Sequence, residues 1–206
     1  ADAGLPACVA IAVPAGGCRG VGAVNRAVPA IALASKDTER HGDVKRRDPV
    51  GAVDPDGFVP PFTFNTDDSK KIVPENGASC KKLDMNYPYN DPWFEYDEKT
   101  GKYLRYQFGA AQIDRESGEQ LSFDNILIKY VTPAYYENGT PNYKIYGSGK
   151  GLFVSNGYAS EVTWIKESES EGATKYYYGD GTEIVMNPGK TYVALVENTS
   201  EVTIKE

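Results

Sequence analysis

The aromatic residues of this chain all fall on one side of a single point. Residues 1–57 contain no Phe, Tyr or Trp, whereas all 24 aromatic residues lie between Phe58 and Glu206. Aromatic side chains carry much of the area a small domain can bury, about 150–250 Å² each. The first segment is instead rich in Ala, Val, Gly and Pro, and its seven acidic and seven basic residues cancel. Pro29 interrupts the one apolar face that Ala23–Ser35 would present as a helix. Little independent structure is therefore expected in 1–57, an atypical Ala/Gly/Pro-rich segment. The boundary falls near "DPDGFVPP", Asp54–Pro61, whose turn formers and prolines favour an extended linker. Residues 58–206 are left to form the folded domain.

That second part reads as sheet. "WFEYD" (Trp93–Asp97) and "KYLRYQF" (Lys102–Phe108) flank a four-residue loop that ends in Gly101, which is a hairpin pattern. "NILIKYVT" (Asn125–Thr132) is a dense β-branched and aromatic run, expected as a central strand. "NYKIYG" (Asn142–Gly147), "GLFVSNGY" (Gly151–Tyr158), "EVTWIK" (Glu161–Lys166), "TKYYYGDGTEIVMN" (Thr174–Asn187) and "KTYVALVE" (Lys190–Glu197) follow at short intervals, with "EVTIKE" (Glu201–Glu206) as an edge strand. No helical period separates them. The expected fold is mainly β, an antiparallel sandwich or barrel-like domain.

Several chemistries are excluded by residue type and spacing. A net charge of −7 argues against a nucleic-acid partner, which would call for a basic stripe. No apolar run is long enough to span a bilayer as a helix. Cys8, Cys18 and Cys80, with the single histidine His41, make neither a zinc pattern nor a disulfide framework. A histidine-dependent nucleophile is disfavoured for the same reason. "VAIAVPAGGC" (Val9–Cys18) only loosely matches a lipid-attachment signal, since no basic residue precedes it and Ala15 stands where a larger aliphatic is usual. The glutamates of "ESESEG" read as a solvated loop, and no loop has calcium-ligand spacing.

"GSGKGLFVSNG" (Gly147–Gly157) invites a phosphate-binding reading, which fails on residues. The P-loop template would require glycine at Lys144 and Ser or Thr at Gly151, and the dinucleotide template glycine at Leu152. The glycines are expected to form a tight corner or bulge between "YKIY" and "LFVS", with Asn156-Gly157 as a type I′ hairpin turn. The remaining candidate feature is tyrosine, 15 in all and all beyond residue 57. Rings on a sheet face can stack on sugars or form an interface, and strand alternation sends about half of them to the core. Trp93, Tyr176 and Tyr178 are the candidate ligand-binding aromatics, with Gln112, Asp114 and Lys150 as polar candidates. No catalytic or metal-binding residue and no cofactor is assigned.

Taken in order, "YLRYQFGAAQIDRESGEQLSFDNILIKYV", "YGSGKGLFVSNGYASEVTWIKES" and "TKYYYGDGTEIVMNPGKTYVALV" resemble the C-terminal domain of the YerB-like lipoproteins of Firmicutes, a family of unknown biochemical function. The resemblance runs from about Phe62 to Glu197. Its most specific pieces are Asp114 and Ser117-Gly118 followed by "NILI", the "GSGKG" stretch, "TWIK" at Thr163–Lys166 and "NPGKTYV" at Asn187–Val193. Gln112 stands where family members often carry His, and residues 1–57 do not resemble the family's larger N-terminal domain. The resemblance implies an extracytoplasmic protein anchored by a lipid upstream of this chain, and it brings no catalytic residues. The expectation is a non-enzymatic binding or scaffold module at the bacterial cell envelope. Its partner would be an envelope protein or cell-wall glycan, and the alternative role is as accessory domain to an envelope enzyme.

Overall fold

The computed structural model describes the backbone of residues 9–12 and residues 61–206 apart from 68, 171 and 201. Most of 1–57, including Cys8, Cys18, His41 and the linker at 54–60, lies outside the described residues. Fifteen strands are described. The first eight are β1 (Val9–Ala12), β2 (Thr63–Phe64), β3 (Ala78–Ser79), β4 (Lys82–Asp84), β5 (Trp93–Asp97), β6 (Lys102–Gln107), β7 (Ala110–Ala111) and β8 (Ser122–Phe123). There follow β9 (Asn125–Val131), β10 (Gly147–Ser155), β11 (Tyr158–Lys166), β12 (Lys175–Tyr177), β13 (Val185–Met186), β14 (Thr191–Glu197) and β15 (Thr203–Lys205).

They form a central sheet in the order β1-β14-β9-β10-β11-β12, with β3 on β11, and a second sheet in the order β15-β4-β5-β6-β7, with β8 on β6. The short β2–β13 ribbon is parallel. The mainly β expectation holds, and β9 is central as expected. The expected antiparallel sandwich holds as well, with parallel pairings added to it: β14 runs parallel to β9, Thr191 facing Asn125 through Glu197 facing Val131, and β1 runs parallel to β14.

Turn chemistry explains the hairpins. Asn156 and Gly157 both have positive φ, 49° and 82°, and Ser155 pairs with Tyr158, as a two-residue type I′ turn requires. Gly101, at φ 69°, closes the β5–β6 loop.

The central sheet is buried on both faces, which is why its strands read as unbroken apolar runs rather than alternating ones. Ile126, Ile128, Leu152, Val154, Tyr192, Ala194 and Val196 face Leu83, Met85, Phe94, Tyr103 and Phe123 across the sandwich. On the reverse face Leu127, Phe153, Val162, Trp164 and Val193 pack with Tyr176, Tyr178, Ile184 and Met186, and Phe62 and Phe64 add partly buried cover. Cys80 is a free, buried thiol whose pKa burial pushes up to about 11.

Two expectations fail here. Asn142–Ile145 forms no strand, and Gly147–Ser155 is one continuous nine-residue strand rather than a corner. Gly149 serves a tryptophan and Gly151 the close approach of β9. Trp164 lies over β10 so closely that a Cβ on Gly149 would stand 2.8 Å from the indole, and one on Gly151 would stand 2.6 Å from the carbonyl oxygen of Ile128. Beyond the Gly151–Lys129 pair β9 has no further partner on β10. The indole Nε1 donates across that gap to the carbonyl of Tyr130 at 3.0 Å.

The "NPGK" motif is likewise structural. Asn187 donates through Nδ2 to Ile72 O and Ser155 Oγ at 2.8 and 2.9 Å, while its Oδ1 accepts from Ile72 N at 2.7 Å. Asn125 bonds Asn187 both ways, through Oδ1 and Nδ2. Gly189, at φ 130°, has no room for a side chain, because Asp124 fills the place of its Cβ and accepts from Lys190 N.

Candidate functional site

The expected tyrosine platform is not on the surface. Tyr176 and Tyr178 are 2% and 8% exposed and pack on the reverse face of the central sheet. Tyr176 pairs with Trp164 across β11 and β12, so both rings point into the core. Strand alternation puts Tyr176 and Tyr178, on either side of half-buried Tyr177, on one face, and that face is the buried one.

The remaining candidates separate into three places. Asp114 organises its own loop: its carboxylate accepts from Ser117 Oγ at 2.8 Å and Ser117 N at 3.2 Å, and these bonds hold it below the usual carboxylate range. Gln112 sits at the β6–β7 edge, its N–H donating to Arg105 O at 3.0 Å. Lys150 is exposed and lines an open groove of about 770 Å³ on the central sheet, with Tyr130, Ser148, Glu161 and Lys144. Gln112 and Asp114 do not line that groove, so the three polar candidates do not converge. Behind it the buried Lys129 donates to Ile145 O and to Thr174 Oγ1 (3.2 Å), with its ammonium 4.0 Å from the Trp164 ring centroid. Burial and the nearby Lys166 charge pull its pKa down to about 8.

Trp93 lies on the solvent-side face of the second sheet. Its ring stacks on Tyr106 (centroids 5.0 Å, planes 6° apart), Lys82 Nζ stands 4.8 Å from it, and its Nε1 donates to Glu95 at 2.9 Å. One indole face is thus already covered. The free aromatic surface at this end comes from Tyr89 and Phe108, 76% and 62% exposed and set edge to face with centroids 5.7 Å apart. Phe108 N–H donates to Asn90 O at 2.9 Å, which ties the two loops together. Phe108 also has φ 53°, in the left-handed region that a bulky side chain enters only at a cost. Sequence reasoning missed Tyr89, Tyr106 and Phe108. A signal existed in "YPYNDPW", where prolines on both sides of Tyr89 mark a turn that must display its ring.

Comparison with known proteins agrees with this architecture. Residues 83–193 match the family described as "Protein of unknown function (DUF3048) C-terminal domain". The chain is 27% identical over 151 residues to a Bacillus subtilis (strain 168) protein named "Putative lipoprotein YerB", covering 71% of this chain and 43% of that protein. The crystal structure of YerB from Bacillus subtilis superposes with a TM-score of 0.58 at 23% identity, over 70% of this chain and 47% of that one. The chain therefore spans less than half the length of the relatives it matches.

Proposed function

The chain belongs to the DUF3048 C-terminal domain family, and on that premise we propose that it is a non-catalytic binding module of the bacterial cell envelope whose ligand is wall glycan. The observation that carries this reading is Phe108. A large apolar ring held at positive φ and mostly in solvent costs stability, and such strain persists where a function requires it. Beside it Tyr89 offers a second ring, and both sit on loops that the second sheet positions. The size of the patch favours sugar over protein. Two rings at these exposures supply about 200–300 Å², whereas a stable protein interface takes about 800 Å² from each partner. The envelope location is supported by the lipoprotein name of the Bacillus subtilis relative.

The test is co-sedimentation of the full chain with insoluble peptidoglycan, run alongside thermal unfolding. Phe108→Gly should bind at least about tenfold more weakly and yet be more stable by about 0.5–1 kcal/mol, because glycine accepts the left-handed conformation freely. Tyr89→Ala should lose binding with little change in stability. Saturable pelleting that both variants retain would overturn the assignment to this patch, and no pelleting of the wild type would overturn the glycan ligand.

A further inference from the structure

The inner face of the second sheet holds a cation that meets no anion among the described residues. Arg105 is 6% exposed; its Nη1 donates to Gln107 Oε1 at 3.2 Å, and the guanidinium also interacts with the Tyr192 side chain. Its guanidinium carbon lies 5.4 Å from the Tyr192 ring centroid. Its Nε is buried and donates to nothing. The described residues contain four buried side-chain polar atoms without a partner, and two others besides Arg105 Nε are Tyr192 Oη and Gln112 Oε1.

The register brings these groups together. Tyr106 pairs with Ala111 and Gln107 with Ala110, so the next step places Arg105 opposite Gln112, where the backbone bond between them is made. Residues directly opposite share a face, so Gln112 is on the same inner side of the sheet edge as Arg105. Tyr192 reaches in from the central sheet, its ring packed on Phe94 and Phe123 at 5.0 and 5.2 Å. Burial pushes its phenol pKa up, and the Arg105 charge together with a hydrogen-bonding interaction with that side chain draws it partly back.

A buried guanidinium without a counter-charge is costly, and a native structure rarely leaves several neighbouring polar atoms unpaired without a use for them. The unused Nε–Nη2 edge presents parallel N–H groups in one plane, the arrangement that a carboxylate fills with two bonds. Tyr192 can donate its O–H to the same group, and the Gln112 amide can turn its NH₂ toward it. We propose that Arg105, Tyr192 and Gln112 form a binding site, between the two sheets, for one carboxylate group of a small ligand or of a peptide chain end. The site lies on the face of β6 opposite Tyr106 and does not rest on the glycan reading.

The experiment uses the full 206-residue chain at constant ionic strength, with acetate, N-acetyl-alanine, sulfate and phosphate each replacing chloride. A saturable rise in Tm with the carboxylates, and not with sulfate or phosphate, is expected. Tighter binding of N-acetyl-alanine than of acetate would identify a chain end as the source, and equal binding a small free carboxylate. Arg105→Gln should weaken the effect by at least about tenfold. Because that variant alters a buried position, the wild-type Arg105 Nε–H signal is followed as well, assigned by its absence in Arg105→Lys. Its downfield movement on carboxylate addition supports the site. No saturable effect in the wild type, an equal effect in Arg105→Gln, an unmoved Nε–H signal, or a preference for sulfate or phosphate would overturn it.

Discussion

The two sheets solve different problems, the central one with strands of up to nine residues and the second with strands of at most six. The central sheet is covered on both faces, and β9 and β14 bury nearly every side chain they carry. Most of its buried polar groups are bound: Asn125, Asn187, Ser155 and Thr191 bond one another, and Lys129 finds a carbonyl and a hydroxyl, while Tyr192 Oη is left over. The second sheet covers one face only, so β6 alternates between buried Tyr103 and Arg105 and half-exposed Leu104 and Tyr106. Among the described residues, three of the four unpartnered buried side-chain atoms belong to it or its edge, on Asp84, Arg105 and Gln112. A sheet buried on both faces has little access to water and so satisfies most of its polar groups internally. The platform at Phe108 borders the second sheet on loops, and the site at Arg105 lies on that sheet's inner face.

The sharpest way to break this contrast is to unpair the central network. Asn187→Leu removes bonds to Ile72 and Ser155 and leaves their groups orphaned, and it should cost about 3–5 kcal/mol in urea unfolding. Gly149→Ala should cost about 1–3 kcal/mol, because its methyl meets the indole of Trp164 rather than a movable chain end, and Trp164 fluorescence should change with it.

Lys129 gives a pH-dependent test. Its folded pKa of about 8 lies below the unfolded value, so the unfolded chain binds the proton more tightly and stability rises with pH through this window. Relative to Lys129→Met, the wild type should gain up to about 2 kcal/mol between pH 7.5 and 9.5, measured as the difference in unfolding free energy. On the second sheet the effects should be smaller. Trp93→Ala removes a cross-strand stack on a solvated face and should cost about 1 kcal/mol. Lys82→Met, which breaks the half-exposed pair with Glu95, should change stability by less than about 0.5 kcal/mol.

Much of the fold was legible. Asn156-Gly157 and the loop ending at Gly101 announce hairpins through residues that favour positive φ, and the apolar density of Asn125–Val131 announces a strand covered on both sides. The site was far less legible. Trp93 was recognisable as a surface aromatic, but Tyr176 and Tyr178 read the same way in sequence and are core. Gln112 was singled out without Arg105, because nothing local says that an arginine in a strand will point inward and lack a carboxylate.

What the sequence determined by itself was local: where turns fall, which runs are strands, and that no helix separates them, since these follow from φ preferences and side-chain alternation between near neighbours. Tertiary structure alone decided that β14 runs beside β9 in parallel, that Gly149 makes room for an indole and Gly151 for the Ile128 carbonyl, and which tyrosines meet water. Those outcomes depend on contacts between residues distant in the chain. Asn125 and Thr191 are paired because burying both faces of one sheet outweighs the entropy of closing the long loop between them.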